Sequence, residues 1–146
     1  MDKDELIKAC DVGFIEYSGI KMTEIKEGYA EGYIDIQPHH LNPGGALHGG
    51  LLFTLMDTIG GFSTRTLGVL PTTLCSNINY LRPTIGVKRL TAKATCIKRG
   101  KNVSVVRIDL FDDNDVLVAS GASNYSDLSG RVEDESIKNL KMDRQE

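Results

Sequence analysis

Hydrophobic and polar residues along this chain switch between a helical and an extended period, and the switches mark its elements. Residues 2–10 carry a short helical pattern with Leu6, Ile7 and Cys10 on one side. From about residue 13 to 27 the pattern predicts an extended segment. Gly28 then marks a turn into Tyr29–Ile36, where Ala30, Ile34 and Ile36 alternate with Glu31, Tyr33 and Asp35, so the two segments read as a hairpin. Gln37–Gly45 holds two His, two Gly and two of the four Pro, the composition of a loop. From Leu47 to about Thr66 the period becomes helical. At about 100° per residue, Leu51, Leu52, Leu55, Ile59 and Phe62 gather on one side and predict a core-facing stripe. Strand patterns follow. Leu74 to Leu81 ends at Arg82-Pro83, and Leu90, Ala92, Ala94 and Cys96 alternate with Thr91, Lys93 and Thr95. After a turn at Gly100-Lys101-Asn102, Val106, Ile108 and Leu110 alternate with Arg107 and Asp109. A second turn at Asp112–Asp115 precedes a strand from Val116 to about Tyr125.

Two strands, one long helix and four strands joined largely by hairpins predict an antiparallel sheet. One helix and one sheet make a two-layer α+β domain, with the helical stripe buried against the sheet. A length of 146 residues fits one domain, and no repeat, low-complexity tract or linker divides it. We place the domain at residues 1–126, including the short N-terminal helix at about 2–10. Residues 127–146 are a charged tail, expected to fray or to form a short terminal helix.

Composition narrows the functional classes. Hydrophobic residues at 40% and charged residues at 25% exclude wholesale disorder. A net charge of -3 argues against a nucleic-acid binder, which would show a basic excess. No stretch approaches the roughly 18 apolar residues that span a bilayer. The charged start Met1-Asp2-Lys3-Asp4-Glu5 leads into no apolar signal core, so a cytoplasmic protein without a membrane partner is expected. Cys10, Cys75 and Cys96 are odd in number and lack metal-ligand spacing, which predicts reduced thiols. Glycine stands out. Of 15 Gly, six (Gly44, Gly45, Gly49, Gly50, Gly60 and Gly61) fall between residues 44 and 61.

On the helical wheel Asp57 points away from Leu55, Ile59 and Phe62, among Gly50, Phe53, Thr54, Gly60, Gly61 and Thr64. A glycine inside a helix costs roughly 1 kcal/mol relative to alanine. Two in succession at Gly60-Gly61 imply a close approach to the helix backbone, by a neighbouring subunit, a narrow ligand or both. An acid on so small a face is a candidate active carboxylate, and the wheel alone leaves a solvated surface aspartate equally open. Gly44-Gly45-Ala46-Leu47-His48-Gly49-Gly50 leads straight into the helix. Free N–H groups and the positive end of the helix dipole at such a start can hold an oxyanion. Thioester or ester hydrolysis develops one, and an aspartate can serve as general base on water or as nucleophile.

Asn42-Pro43-Gly44-Gly45-Ala46-Leu47-His48-Gly49-Gly50, followed by Leu55-Met56-Asp57 and Gly60-Gly61, closely resembles the PaaI-type acyl-CoA thioesterases of the hotdog-fold superfamily. Asn77-Ile78-Asn79-Tyr80-Leu81-Arg82-Pro83 looks like that family's first strand after the helix. Ile97-Lys98-Arg99-Gly100-Lys101-Asn102-Val103 looks like its coenzyme A-contacting hairpin, and Val116-Leu117-Val118-Ala119-Ser120-Gly121 like its last strand. The likeness spans roughly residues 13 to 126. It implies a hotdog, in which one long helix is wrapped by a curved antiparallel β-sheet, and an acyl-CoA thioesterase (hydrolase) activity on an acyl- or aryl-acyl-CoA. By that resemblance Asp57 is the catalytic carboxylate, contributed across a dimer interface, and the Gly49 N–H polarises the thioester carbonyl. Asn42 and His48 help to orient the reactants. Thr73 stands where similar enzymes place a serine that positions water. Tyr80 and the hairpin residues Lys98, Arg99, Gly100, Lys101, Asn102 and Val103 contact coenzyme A, which is part of the substrate; no separate cofactor is implied. The resemblance also implies a homodimer at minimum and a homotetramer as the fuller assembly.

Other readings remain in view. A non-catalytic acyl-CoA or aromatic-ligand sensor on the same fold is the alternative, and a hotdog dehydratase is disfavoured by the Asn42…His48-Gly49-Gly50…Asp57 pattern. His39, His40 and His48 lack a carboxylate or cysteine to complete a ligand set, so no metal is expected. The Lys98–Lys101 cluster is either a solvated hairpin tip or a phosphate contact. No Gly-x-Ser-x-Gly elbow is present.

Overall fold

Residues 2–8 and 10–129 are described by the computed structural model; the charged tail expected at 127–146 lies mostly outside them. Two short helices, α1 (Lys3–Lys8) and α2 (Gly13–Ser18), precede the hairpin of β1 (Ile20–Lys26) and β2 (Tyr29–Asp35). A single 3-10 turn at Pro38–His40 leads through the glycine loop into α3 (Gly49–Arg65). The remaining strands are β3 (Pro71–Tyr80), β4 (Arg89–Arg99), β5 (Val103–Phe111) and β6 (Leu117–Asp127).

All six strands form one antiparallel sheet in the order β1-β2-β4-β5-β6-β3. The α+β expectation holds, and the arrangement is that of a hotdog, with α3 packed chiefly on β4, β2 and β5. Two expectations are corrected. First, β3 and β4 are not joined as a hairpin: β4 pairs with β2, and β3 crosses to the far edge beside β6. Strand order is a long-range property that a local alternation does not carry. Second, the segment expected to be extended from residue 13 begins as the helix α2. Gly19, left-handed at φ 82°, caps it by donating to Glu16 and Ile15 carbonyls, and the chain becomes extended only at Ile20.

The predicted stripe is buried. Leu52, Leu55, Ile59 and Phe62 pack into the core with Met56 and the inward residues of the strands, among them Ala30, Ile34, Leu90, Ala94, Ile108 and Leu110. Leu51, at the edge of the stripe, is only partly buried. Each fully buried aliphatic side chain contributes about 1.5–3 kcal/mol. Four such residues on α3 therefore outweigh the roughly 1 kcal/mol that each of Gly60 and Gly61 costs the helix.

The group that approaches those glycines belongs to the chain itself. Gly60, Gly61 and Thr64 are buried, and a Cβ at Gly60 would collide with the Tyr125 hydroxyl. Gly61 has only ordinary contacts, 3.7 Å to Tyr125 and 3.8 Å to Pro71. The expected subunit or ligand at this pair is thus replaced by Tyr125 of β6. The small face around Asp57 divides: its C-terminal half is core, and only Gly50, Phe53 and Thr54 remain at least partly exposed.

Candidate active site

The start of α3 is assembled by short-range hydrogen bonds. Asn42 Oδ1 accepts from the Gly44 N–H at 2.9 Å and the Ala46 N–H at 3.2 Å, and the Asn42 N–H donates to the Ala46 carbonyl at 2.8 Å. Asn42 therefore folds the loop on itself, and Gly45 takes the left-handed conformation (φ 82°) that the turn requires. His48 is the N-cap: its Nδ1 accepts from the Gly50 N–H at 2.9 Å, so only Nε2 is left for a substrate. Its backbone N–H donates to the His40 carbonyl at 2.9 Å. Gly49 occupies the first helical position, where an N–H has no acceptor within the helix. Its carbonyl accepts from the Tyr80 hydroxyl at 2.8 Å, and a Cβ at Gly49 would stand 3.2 Å from that oxygen. Loop, helix start and the end of β3 are thereby fixed to one another.

Asp57 lies two turns further along α3, half-buried. Its Oδ1 accepts from Thr73 Oγ1 at 2.8 Å. Tyr125 donates to the Asp57 carbonyl at 2.9 Å, with its hydroxyl 3.4 Å from Oδ1. Thr73 and Tyr125 face each other in the β3–β6 register, so two adjacent strands present both hydroxyls to one residue of the helix. Burial, and then the negative charge of Asp57, push the Tyr125 phenol far up, so it stays protonated as a donor. Among the described residues Oδ2 has no hydrogen-bond partner and is the oxygen free to act. Eight residues of helix separate Asp57 from Gly49, about 12 Å of rise.

The basic hairpin sits elsewhere. Gly100 donates to the Val103 carbonyl at 2.9 Å, and a Cβ there would collide with that oxygen, so the tight turn needs glycine. The Asn102 carbonyl accepts from the Asp127 N–H at 3.0 Å. Arg99 is engaged within the chain: Nε donates to the Leu67 carbonyl at 3.1 Å, and the guanidinium lies 3.8 Å from the Asp127 carboxylate. Lys98 and Lys101 are exposed. On β6, Ser126 pairs with Val103 and Ala119 with Tyr80. Seven residues of strand, about 23 Å, thus separate the two groups of residues expected at coenzyme A.

The fold and these motifs agree with known proteins. Residues 44–119 match the family model of the thioesterase superfamily. The chain belongs to the thioesterase superfamily. It is 27% identical to the acyl-coenzyme A thioesterase PaaI of Escherichia coli, over 81% of this chain and 84% of that protein. Its backbone matches a thioesterase structure from Haemophilus influenzae with a TM-score of 0.78, at 27% identity over 86% of this chain and 90% of the other. A hypothetical thioesterase of Streptococcus pneumoniae, solved with coenzyme A, matches with a TM-score of 0.70 at 28% identity, over 74% and 84% of the two chains. The protein is a thioester hydrolase of the PaaI type, with the hotdog fold.

Sequence reasoning missed two parts of this thioesterase. Tyr125 was legible only as the end of the last strand, although the paired small residues Gly60-Gly61 signalled that something large lies against them. The other is α2, whose signal was Gly19 following an i, i+3, i+4 set of Phe14, Tyr17 and Ser18. Behind α2, the buried His40 ties the segments together. Its Nδ1 accepts from the Gln37 N–H at 3.0 Å, so Nε2 carries the proton towards the Ser18 carbonyl at 3.1 Å. Burial, and then the neighbouring His39, hold its pKa below the ordinary histidine value, against the opposing pull of Ser18.

Proposed function

We propose that the protein hydrolyses the thioester of acyl-CoA, using Asp57 of one protomer and the Gly49 N–H of another. The observation that carries this reading is the state of Asp57: half-buried, with Oδ1 held by Thr73 and Oδ2 unpaired among the described residues. In the general-base course, water attacks the thioester carbonyl while its proton passes to Asp57. The carbonyl electrons move to an oxygen held by the Gly49 N–H and the helix dipole. Collapse of the adduct breaks the C–S bond, and the departing thiolate recovers the proton, leaving free acid and coenzyme A. In the nucleophilic course the Asp57 carboxylate attacks the carbonyl and expels the coenzyme A thiolate, leaving a mixed anhydride. Water then hydrolyses the anhydride, freeing the acid and the carboxylate, and its proton passes to the thiolate. Thr73 orients the carboxylate, and Asn42 and His48 hold the loop that presents Gly49.

One chain cannot place both groups on one carbonyl, because about 12 Å of helix lies between them and each must come within about 3 Å of the reacting atoms. The sheet edges support a shared site. Edge strand β1 carries Lys21, Glu24 and Lys26 and a bulge, which discourage further pairing. Edge strand β3, Pro71–Tyr80, carries no charged residue and holds Thr73 against Asp57. Pairing two copies about this edge makes the dimer, and two dimers make the tetramer. Tyr80, beside the carbonyl site, contacts coenzyme A near the thioester, and the Lys98–Val103 hairpin contacts its nucleotide.

Asp57→Asn keeps the shape and removes the base or nucleophile. It is expected to lower kcat on acyl-CoA by at least roughly 10²-fold with unchanged thermal unfolding. A purified, folded variant retaining most of the parent turnover would remove Asp57 from the mechanism.

A further inference from the structure

A groove of about 340 Å³ opens beside the start of α3, and His48 and Gly50, the neighbours of Gly49, are among the residues that line it. Its walls are Phe14 and Tyr17 of α2, His39, Leu51 and Thr54. Phe14 and Tyr17 are 66% and 78% exposed, an uncommon fate for two large aromatic side chains one helical turn apart. Tyr17 and His39 are in tilted contact, ring centroids 6.4 Å apart and planes at 47°. His40, behind them, fixes α2 to the loop through Ser18. Among the described residues no Lys, Arg, Asp or Glu lines the groove.

We propose that this groove is the receptor for the acyl group of the substrate, and that α2, through Phe14 and Tyr17, sets acyl selectivity. The inference rests on the acyl-CoA reading above. Position carries it: a carbonyl held by the Gly49 N–H lies between two residues that line the groove, His48 and Gly50, so its acyl substituent has the groove directly in reach. Chemistry sets the class. The lining surface is mostly apolar, with Phe14, Tyr17 and Leu51 beside three histidines and no lysine or arginine, so it suits apolar acyl groups and offers no permanent cation to one bearing a second carboxylate. The volume is at the small end of the roughly 300–1,000 Å³ typical of ligand sites, which favours compact groups. Both aromatic determinants precede the family-matched region at 44–119, so selectivity is set by a segment outside the shared scaffold.

The test compares kcat/KM for acetyl-, hexanoyl-, benzoyl- and succinyl-CoA in the parent and in Phe14→Ala, Tyr17→Ala and Tyr17→Arg. Acetyl is too short to fill the groove and reports on the chemical step. The two alanine variants should lose about tenfold or more on hexanoyl- and benzoyl-CoA and stay within about twofold on acetyl-CoA, the scale of lost apolar pocket contacts. Tyr17→Arg places a cation at the rim and should raise succinyl- over hexanoyl-CoA. Turnover by the parent with the same acyl ranking in all three variants would overturn the receptor and leave the hydrolase reading intact. No turnover of any acyl-CoA by the parent would overturn both. A smaller sedimenting species for Tyr17→Arg would assign the aromatic face to a second copy, again overturning the receptor.

Discussion

Gly60 must be glycine because Tyr125 occupies the space a side chain would take, and the same Tyr125 hydroxyl reaches the Asp57 carbonyl. Its neighbour is under no such constraint. Alanine at either position gains roughly 1 kcal/mol of helix propensity. At Gly60 that gain is set against overpacking, which costs about 1–3 kcal/mol. Gly60→Ala is therefore expected to destabilise the protein and lower kcat by displacing Tyr125, whereas Gly61→Ala should be neutral or stabilising by up to about 1 kcal/mol. Urea unfolding of both variants checks the opposite signs; equal shifts would mean that Tyr125 gives way freely. His40 supplies a pH dependence. Its pKa in the folded protein lies below its unfolded value of about 6.5, so the unfolded chain binds the extra proton. Its stability contribution is full above about pH 6.5 and is lost as the pH falls from there towards the lowered folded value. Parent and His40→Gln proteins unfolded in urea between pH 7.5 and 5 should differ in slope, with the acid-side loss smaller in the variant.

The cations of the hairpin joining β4 to β5 stand in two settings that the charge run did not separate. Arg99 braces the turn after α3 through Leu67 and lies near Asp127, while Lys98 and Lys101 project into solvent. Neutralising Lys98 and Lys101 to glutamine, with Arg99 retained, should raise KM for acyl-CoA more than it lowers kcat, because cations on the nucleotide act on ground and transition states alike. An acyl-pantetheine thioester, which lacks the nucleotide, should show no such loss; equal losses on both would detach the hairpin from the nucleotide. The regular elements were legible wherever one face is buried. The α3 stripe and the alternations of β4 and β5 follow directly from core packing. Elements with little buried face were read only in part or missed. β3 begins at Pro71, before the expected Leu74, since Thr72 and Thr73 are exposed and show no alternation. Phe14 and Tyr17 resembled strand residues because aromatic side chains favour strands unless a cap ends them as a helix, which Gly19 does. Of the candidate site, the glycine loop and Asp57 were visible as motifs, while the Tyr125 contact depends on β6 returning to α3, which no local pattern encodes.

For the whole molecule, the decisive quantity is the spacing of about 12 Å between Asp57 and Gly49, which the proposed shared site bridges with a second copy. Asp57→Asn and Gly49→Pro chains are each expected to be inactive, the second because proline removes the N–H. Refolded together, they should recover partial activity, since some mixed dimers hold one intact pair of groups. Gly49→Pro must first show parent-like circular dichroism, and a parent monomer fully active at its sedimentation concentration would sink the shared site. The placement of β3 also governs how the molecule is made. During synthesis β3 emerges directly after α3, but its only strand partner among the described residues, β6, ends at Asp127. Until the ribosome has delivered about fifty further residues, an uncharged strand has both edges open, in the chain least protected against pairing with a neighbour of its own kind. The hydroxyls of Thr73 and Tyr125 are both in place beside Asp57 only when that last strand closes, so the Asp57 carboxylate acquires its full setting late in folding rather than at the start.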